Sequence, residues 1–132
     1  MAEQTTKILI VDDDTFLLNM YSVKFSKSGY EVQTAQNGVE ALKKIKDGAY
    51  SPDILLLDVI MPGLDGIELL TEIRKEHLVQ DATIIMLTNQ SDASDIEKAK
   101  AMKVNGYIVK ATTVPSEVIT QVGKIHSDFH KK

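Results

Sequence analysis

Three short blocks of almost wholly aliphatic residues restrict this chain more than anything else in it: Ile8-Leu9-Ile10-Val11, Ile54-Leu55-Leu56-Leu57 and Ile84-Ile85-Met86-Leu87. Each stops at a polar residue, respectively Asp12, Asp58 and Thr88. Successive side chains of a strand point to opposite faces, so a strand with one wet face alternates apolar with polar. An unbroken apolar run needs cover on both faces, as in the centre of a parallel sheet with helices on either side. Two weaker candidates read as edge strands: Tyr30–Ala35, which alternates with Val32 inward and Gln33 outward, and the short Tyr107-Ile108-Val109.

Helical periodicity fills the intervals. Leu17, Met20, Tyr21 and Phe25 share a face, as do Val39, Leu42 and Ile45, then Ile67, Leu70 and Ile73, and finally Val118, Val122, Ile125 and Phe129. Asn37 with Glu40 three residues on suits a capping box, and Gly29, Gly48 and Gly106 sit where helices should stop. The stretch Asp92–Val104 offers its core only Ala93, Ile96, Ala99 and Met102. A helix anchored so lightly belongs to the movable part of a fold. Strand and helix thus alternate five times, and right-handed crossovers leave the open doubly wound α/β sheet as the natural architecture. With the weak strands at the edges, the order is 2-1-3-4-5, the flavodoxin-like arrangement. Sites in such sheets lie at the carboxyl ends of the strands, beside the switch point between strands 1 and 3.

Composition narrows the function. A chain of 132 residues with 43% hydrophobic and 26% charged residues suits one globular domain, taken as 7–130 behind a flexible segment 1–6. A net charge of −4 and a single arginine, Arg74, speak against direct nucleic-acid binding, which needs a basic surface. The absence of cysteine removes disulfides and thiolate metal sites. Apolar runs fall far short of the roughly 20 residues that span a bilayer, and Met1–Thr6 does not resemble a signal peptide. A cytoplasmic protein without membrane insertion is expected.

The chemistry gathers at strand ends. Strands 1 and 3 end in Asp12-Asp13 and Asp58, and neighbouring strands lie about 4.8 Å apart, so these carboxylates should converge. Like charges about 4 Å apart repel by roughly 4 kcal/mol at an effective dielectric of 20, so the cluster needs a cation or a proton held by one member. An all-oxygen set of a few carboxylates, with waters kept, suits Mg²⁺. The blander reading has Asp12–Asp14 cap the next helix and Asp58 open a loop; for Asp14 a cap or a solvent-facing charge is expected. Strands 4 and 5 bring Thr88 and Lys110 to the same rim. A hydroxyl and a flexible ammonium beside a metal-bound carboxylate make a place for a phosphoryl group, with Asp58 as nucleophile on the central strand.

These residues resemble the receiver domain of two-component response regulators, over about Lys7 to Phe129. The resemblance is carried by Ile8–Asp14, by Pro52–Gly66 (Pro52-Asp53-Ile54-Leu55-Leu56-Leu57-Asp58-Val59-Ile60-Met61-Pro62-Gly63-Leu64-Asp65-Gly66), and by Thr88 and Lys110. It implies that Asp58 takes a phosphoryl group from a sensor histidine kinase or phosphotransfer protein. It further implies that Asp12, Asp13, Asp58 and the backbone carbonyl of Ile60 hold Mg²⁺. Thr88 and Tyr107 take the switch positions, and Lys110 pairs with the phosphoryl oxygens. Output would pass to a downstream effector protein through the face made by the fourth helix (Asp92–Val104), the fifth strand and the last helix. A phosphorylation-dependent dimer is left open. Such a protein is no enzyme beyond its own phosphorylation and dephosphorylation.

The chain departs from the family in two places. Ala111 follows Lys110 where proline is usual, and a cis non-proline bond costs about 3–4 kcal/mol, so either contacts hold that strain or the loop is trans. Asn89 follows Thr88 where a small residue is common. Ile60 and Gln90 resemble positions that control water attack; an apolar Ile60 predicts a longer phosphoryl lifetime than Asn would give. Two rival readings stand beside the switch: a degenerate receiver serving as a protein-binding module, and a Mg²⁺-dependent aspartyl phosphohydrolase. The second lacks an acidic residue at position 60. His77, His126 and His130 are expected near helix ends, where positive charge suits the dipole.

Overall fold

The computed structural model describes residues 5–47, 51–59, 61, 63–79, 81–88, 97–98, 100–109 and 113–130, with the side chains of residues 88 and 130 outside the description. Its elements run β1 (Lys7–Val11), α1 (Thr15–Lys27), β2 (Glu31–Ala35), α2 (Gly38–Lys46), β3 (Ile54–Asp58), α3 (Gly66–Lys75), β4 (Thr83–Thr88), β5 (Gly106–Val109) and α4 (Pro115–His130). The strands form one sheet in the order β2-β1-β3-β4-β5, all neighbours parallel, as the aliphatic blocks and weak edges require.

The pleat splits each aliphatic block between two core layers. Leu9, Val11, Leu55, Leu57, Ile84 and Met86 face α2 and α3, where Ala41, Ile45, Leu69, Leu70 and Ile73 meet them. Ile8, Ile10, Ile54, Leu56, Ile85 and Leu87 face α1 and α4, against Leu18, Tyr21, Phe25, Val118 and Val122. Register pairs Ile10 with Leu56 and Leu56 with Ile85, so like-sized side chains from three adjacent strands stack in one row. Burying one such side chain contributes about 1.5–3 kcal/mol, which makes this central block the main source of stability.

Helix faces differ from the periodic reading in detail. On α1 the fully buried apolar residues are Leu18, Tyr21 and Phe25, with Leu17 and Met20 flanking. On α2 Gly38, Ala41 and Ile45 turn inward while Val39 is exposed, and on α4 the stripe ends before the exposed Phe129. Gly29 follows the C-cap of α1 with a positive φ of 97°, as a helix stop should. Gly106 does not end a helix: it is the first residue of β5, where the side chain of Ile125 packs over it. Gly48 and the residues 92–96 and 99 of the expected fourth helix lie outside the described residues; 97–98 and 100–101 are helical, and Met102 is half-buried against the core layer of α2 and α3.

Three caps aim helix starts at one rim of the sheet. Asp14 caps α1 by accepting from the N–H groups of Phe16 and Leu17 at 3.0 and 3.2 Å. Asn37 caps α2 through Glu40 N–H, but the Glu40 carboxylate reaches past the cap to the N–H of Gln36. The reciprocal box sits instead at Asp65 and Glu68 of α3.

Candidate functional site

β1 and β3 run side by side, Val11 opposite Leu57, so the residues that follow them emerge at one rim. Asp12 comes directly after β1 and is 1% exposed; its N–H donates to the carbonyl of Ala35, extending the pairing with β2. Its Oδ1 accepts the N–H of Asp14 at 2.9 Å, which fixes the carboxylate's orientation. Asp13 is exposed, and Asp58, the last residue of β3, is 5% exposed. One carboxylate oxygen from each of Asp12, Asp13 and Asp58 lies within 4.8 Å of the others. The three do converge. Asp14, turned away to cap α1, belongs to the helix and not to the cluster.

Repulsion within the cluster amounts to roughly 3–4 kcal/mol per ionised pair at an effective dielectric of 20. A hard divalent cation would relieve it. The donors are all oxygen, with no imidazole or thiolate among them. All-carboxylate donors, with Asp12 and Asp58 buried and Asp13 reaching solvent, match the partly hydrated all-oxygen coordination of Mg²⁺ and not the nitrogen and sulfur sites of transition metals. The residues present fit Mg²⁺.

Thr88 ends β4, its backbone opposite Val109 and next in line from Asp58 and Leu87. The strand order thus carries its backbone to the same rim; its side chain lies outside the described residues, as do Ile60, Asn89, Gln90, Lys110 and Ala111. Tyr107 sits in β5 opposite Met86, half-buried against the core layer on the α2 and α3 side of the sheet. Among the described residues the structure therefore brings together Asp12, Asp13 and Asp58. Sequence reasoning missed the Asp65–Glu68 box, whose Asp-x-x-Glu spacing was its signal, and the amide of Asp14 that holds Asp12. It also gave His126 only a dipole role, whereas its ring bonds to Thr83 at the far end of the sheet.

Fold and site define an open, doubly wound α/β protein with a cluster of three carboxylates at the point where the strand order reverses. The chain belongs to the response regulator receiver domain family, whose sequence profile matches residues 8–122. It is 36% identical over 119 residues, 90% of its own length, to the alkaline phosphatase synthesis transcriptional regulatory protein PhoP of Bacillus subtilis, and covers 48% of that protein. The chain thus spans about half the length of the curated relatives it matches first. Its structure superposes on the chemotaxis protein CheY4 of Vibrio cholerae with a TM-score of 0.82 at 30% identity, covering 92% of this chain and 99% of that one. It also matches the response regulator TrrA of Thermotoga maritima in complex with Mg²⁺-BeF, with a TM-score of 0.76 at 37% identity and coverage of 92% and 99%. Among the described residues no helix is long and apolar enough to cross a membrane.

Proposed function

We propose that this receiver domain, 7–130, is a phosphorylation-driven signalling switch whose acceptor is Asp58. The observation that carries the reading is the convergence of Asp12, Asp13 and Asp58 at the carboxyl ends of adjacent strands. Of the three, Asp58 suits the nucleophile because β3 is flanked by β1, which leads to the acidic pair, and by β4, which leads to Thr88. Asp12 already has one oxygen held by the amide of Asp14.

In the reaction, a carboxylate oxygen of Asp58 attacks the phosphorus of a phosphohistidine on a sensor kinase or phosphotransfer protein. A P–O bond forms, the P–N bond breaks, and the departing imidazole takes up a proton. Mg²⁺, held by Asp12, Asp13, Asp58 and the carbonyl of Ile60, would screen charge on the transferring phosphoryl oxygens. Lys110 pairs with those oxygens, and Thr88 donates its hydroxyl to them. The phosphoryl group carries about −1.5 to −2 charges but consumes the Asp58 carboxylate's own, so the already acidic rim gains roughly one charge net and three outward oxygens. Thr88 and Lys110 are drawn inward, Tyr107 follows, and the face of residues 97–109 and α4 changes shape for a downstream effector. The proposed reaction is a cytoplasmic one.

Incubation with acetyl phosphate and Mg²⁺, followed by intact-mass measurement, tests the assignment. One adduct of about 80 Da, absent from Asp58→Asn, is expected. Steady turnover of the donor without an adduct would point to a hydrolase, and no reaction at all to a binding module.

A further inference from the structure

The first residue of α3 lies flat against the main chain of Asp58. That residue, Gly66, is buried, and its N–H donates to the carbonyl of Val59 at 2.9 Å. A Cβ placed on Gly66 would overlap the carbonyl oxygen of Asp58 and stand 3.0 Å from the Asp58 carbonyl carbon and from the Cα of Val59. Gly66 is not among the glycines with positive φ, so its backbone conformation does not call for glycine. Space does. At Gly106 and Gly123 an added Cβ would meet side chains, those of Ile125 and Tyr30, and at Gly38 the main chain of Leu64. Among the described glycines, only Gly66 has the backbone of one of the three clustered carboxylates in the way.

We propose that Gly66 is a positioning residue for the Asp58 carboxylate, acting through the peptide that joins Asp58 to Val59. The inference rests on the reading of Asp58 as Mg²⁺ ligand and phosphoryl acceptor. A methyl at position 66 must displace something, and most of its surroundings resist. Leu69, Leu70 and Ile73 root α3 in the core, and the Asp65–Glu68 box closes its first turn. Asp58 is held by its pairing with Leu87 of β4, and Val59 is itself a buried core residue. What yields is the peptide between these two held residues, which turns about the line joining their Cα atoms. That turn changes ψ of Asp58, and the rotamers open to a side chain depend on its backbone torsions. The carboxylate then leaves the direction that brings it within 4.8 Å of the oxygens of Asp12 and Asp13. A residue with no side chain thus sets where the Asp58 side chain points.

Calorimetric titration of the whole chain with MgCl₂, paired with phosphorylation by acetyl phosphate and with metal-free melting curves, tests this. Gly66→Ala is expected to weaken Mg²⁺ binding about tenfold or more, the usual effect of disturbing groups that orient ligands. At saturating acetyl phosphate and Mg²⁺ its phosphorylation should slow by roughly 10–100-fold, as small misplacements of a reacting group do. Ile73→Val, buried on the same helix, is expected to lower the melting temperature and leave affinity and rate unchanged. A folded Gly66→Ala that keeps the wild-type affinity or the wild-type rate overturns the proposal. So does an Ile73→Val that loses as much, since both properties would then follow helix stability. Should Gly66→Ala fail to fold, the wild type decides by nitrogen–proton NMR. The Gly66 amide signal is expected to shift as Mg²⁺ saturates the site while those of Gly29 and Gly123 stay, and an unmoved Gly66 signal overturns the proposal equally. A wild type that neither binds Mg²⁺ nor takes a phosphoryl group overturns the site reading itself, and the proposal with it.

Discussion

The Nδ1 of His126 lies 2.7 Å from the Oγ1 of Thr83, whose side chain has no solvent exposure. Thr83 opens β4 at the end of the sheet opposite the acidic cluster, so the bond fastens α4 to the sheet away from the site. Thr83→Val keeps the shape and removes the hydroxyl. A loss of about 1 kcal/mol in urea unfolding is expected, the net worth of one hydrogen bond. Mg²⁺ affinity should not change, and an unaltered unfolding midpoint would show that the bond adds nothing net.

Mutual repulsion of the acidic trio makes a second expectation. Asp13→Ala should raise the melting temperature of the metal-free protein and remove the stabilisation that Mg²⁺ gives the wild type. A ligand at a hundredfold excess over its dissociation constant adds about 2.7 kcal/mol, which for a domain of this size shifts melting by roughly 5–15 °C. Identical wild-type melting curves with and without millimolar Mg²⁺ would remove the basis for a cation at Asp12, Asp13 and Asp58.

If Asp58 accepts phosphate as proposed, the residue two places beyond it is expected to set how long the phosphoryl group survives. An isoleucine there can neither donate nor accept a hydrogen bond to an attacking water. Ile60→Asn is expected to shorten the acyl-phosphate lifetime severalfold, followed as decay of the phosphorylated mass. A decay rate unchanged by the substitution would assign water control to another group.

Burial pushes the Tyr30 phenol above its ordinary value of 10.0. Its ring meets Phe25 edge-on, with centroids 5.1 Å apart, and Gly123 of α4 lies over its hydroxyl. The unfolded chain ionises this phenol first, so the associated stability is whole below about pH 10 and declines as pH rises through the folded value. In an ultraviolet titration, Tyr30→Phe should remove a late-ionising step. Tyrosines that all titrate together would contradict it.

The sheet was legible because its evidence is local. Ile8–Val11, Ile54–Leu57 and Ile84–Leu87 need cover on both faces wherever they sit, and the alternating Tyr30–Ala35 does not, so the order β2-β1-β3-β4-β5 follows almost from those runs alone. Helix faces were less legible. Val39 fits the apolar period of α2 yet is exposed, since Ala41 and Ile45 are the residues that meet the sheet layer. Gly106 looked like a helix stop, and a packing demand from Ile125 explains it better.

By itself the sequence determined the parallel sheet, its edges and the acidic residues at its tips, because hydrophobic runs and strand ends are properties of adjacent residues. Only the tertiary structure decided that the amide of Asp14 holds the Asp12 carboxylate, that His126 bonds Thr83, and that Gly38 meets Leu64. Those relations join residues far apart in the chain or turn on which way one carboxylate points. Both are fixed by packing after the elements have formed, and no spacing in the sequence encodes them.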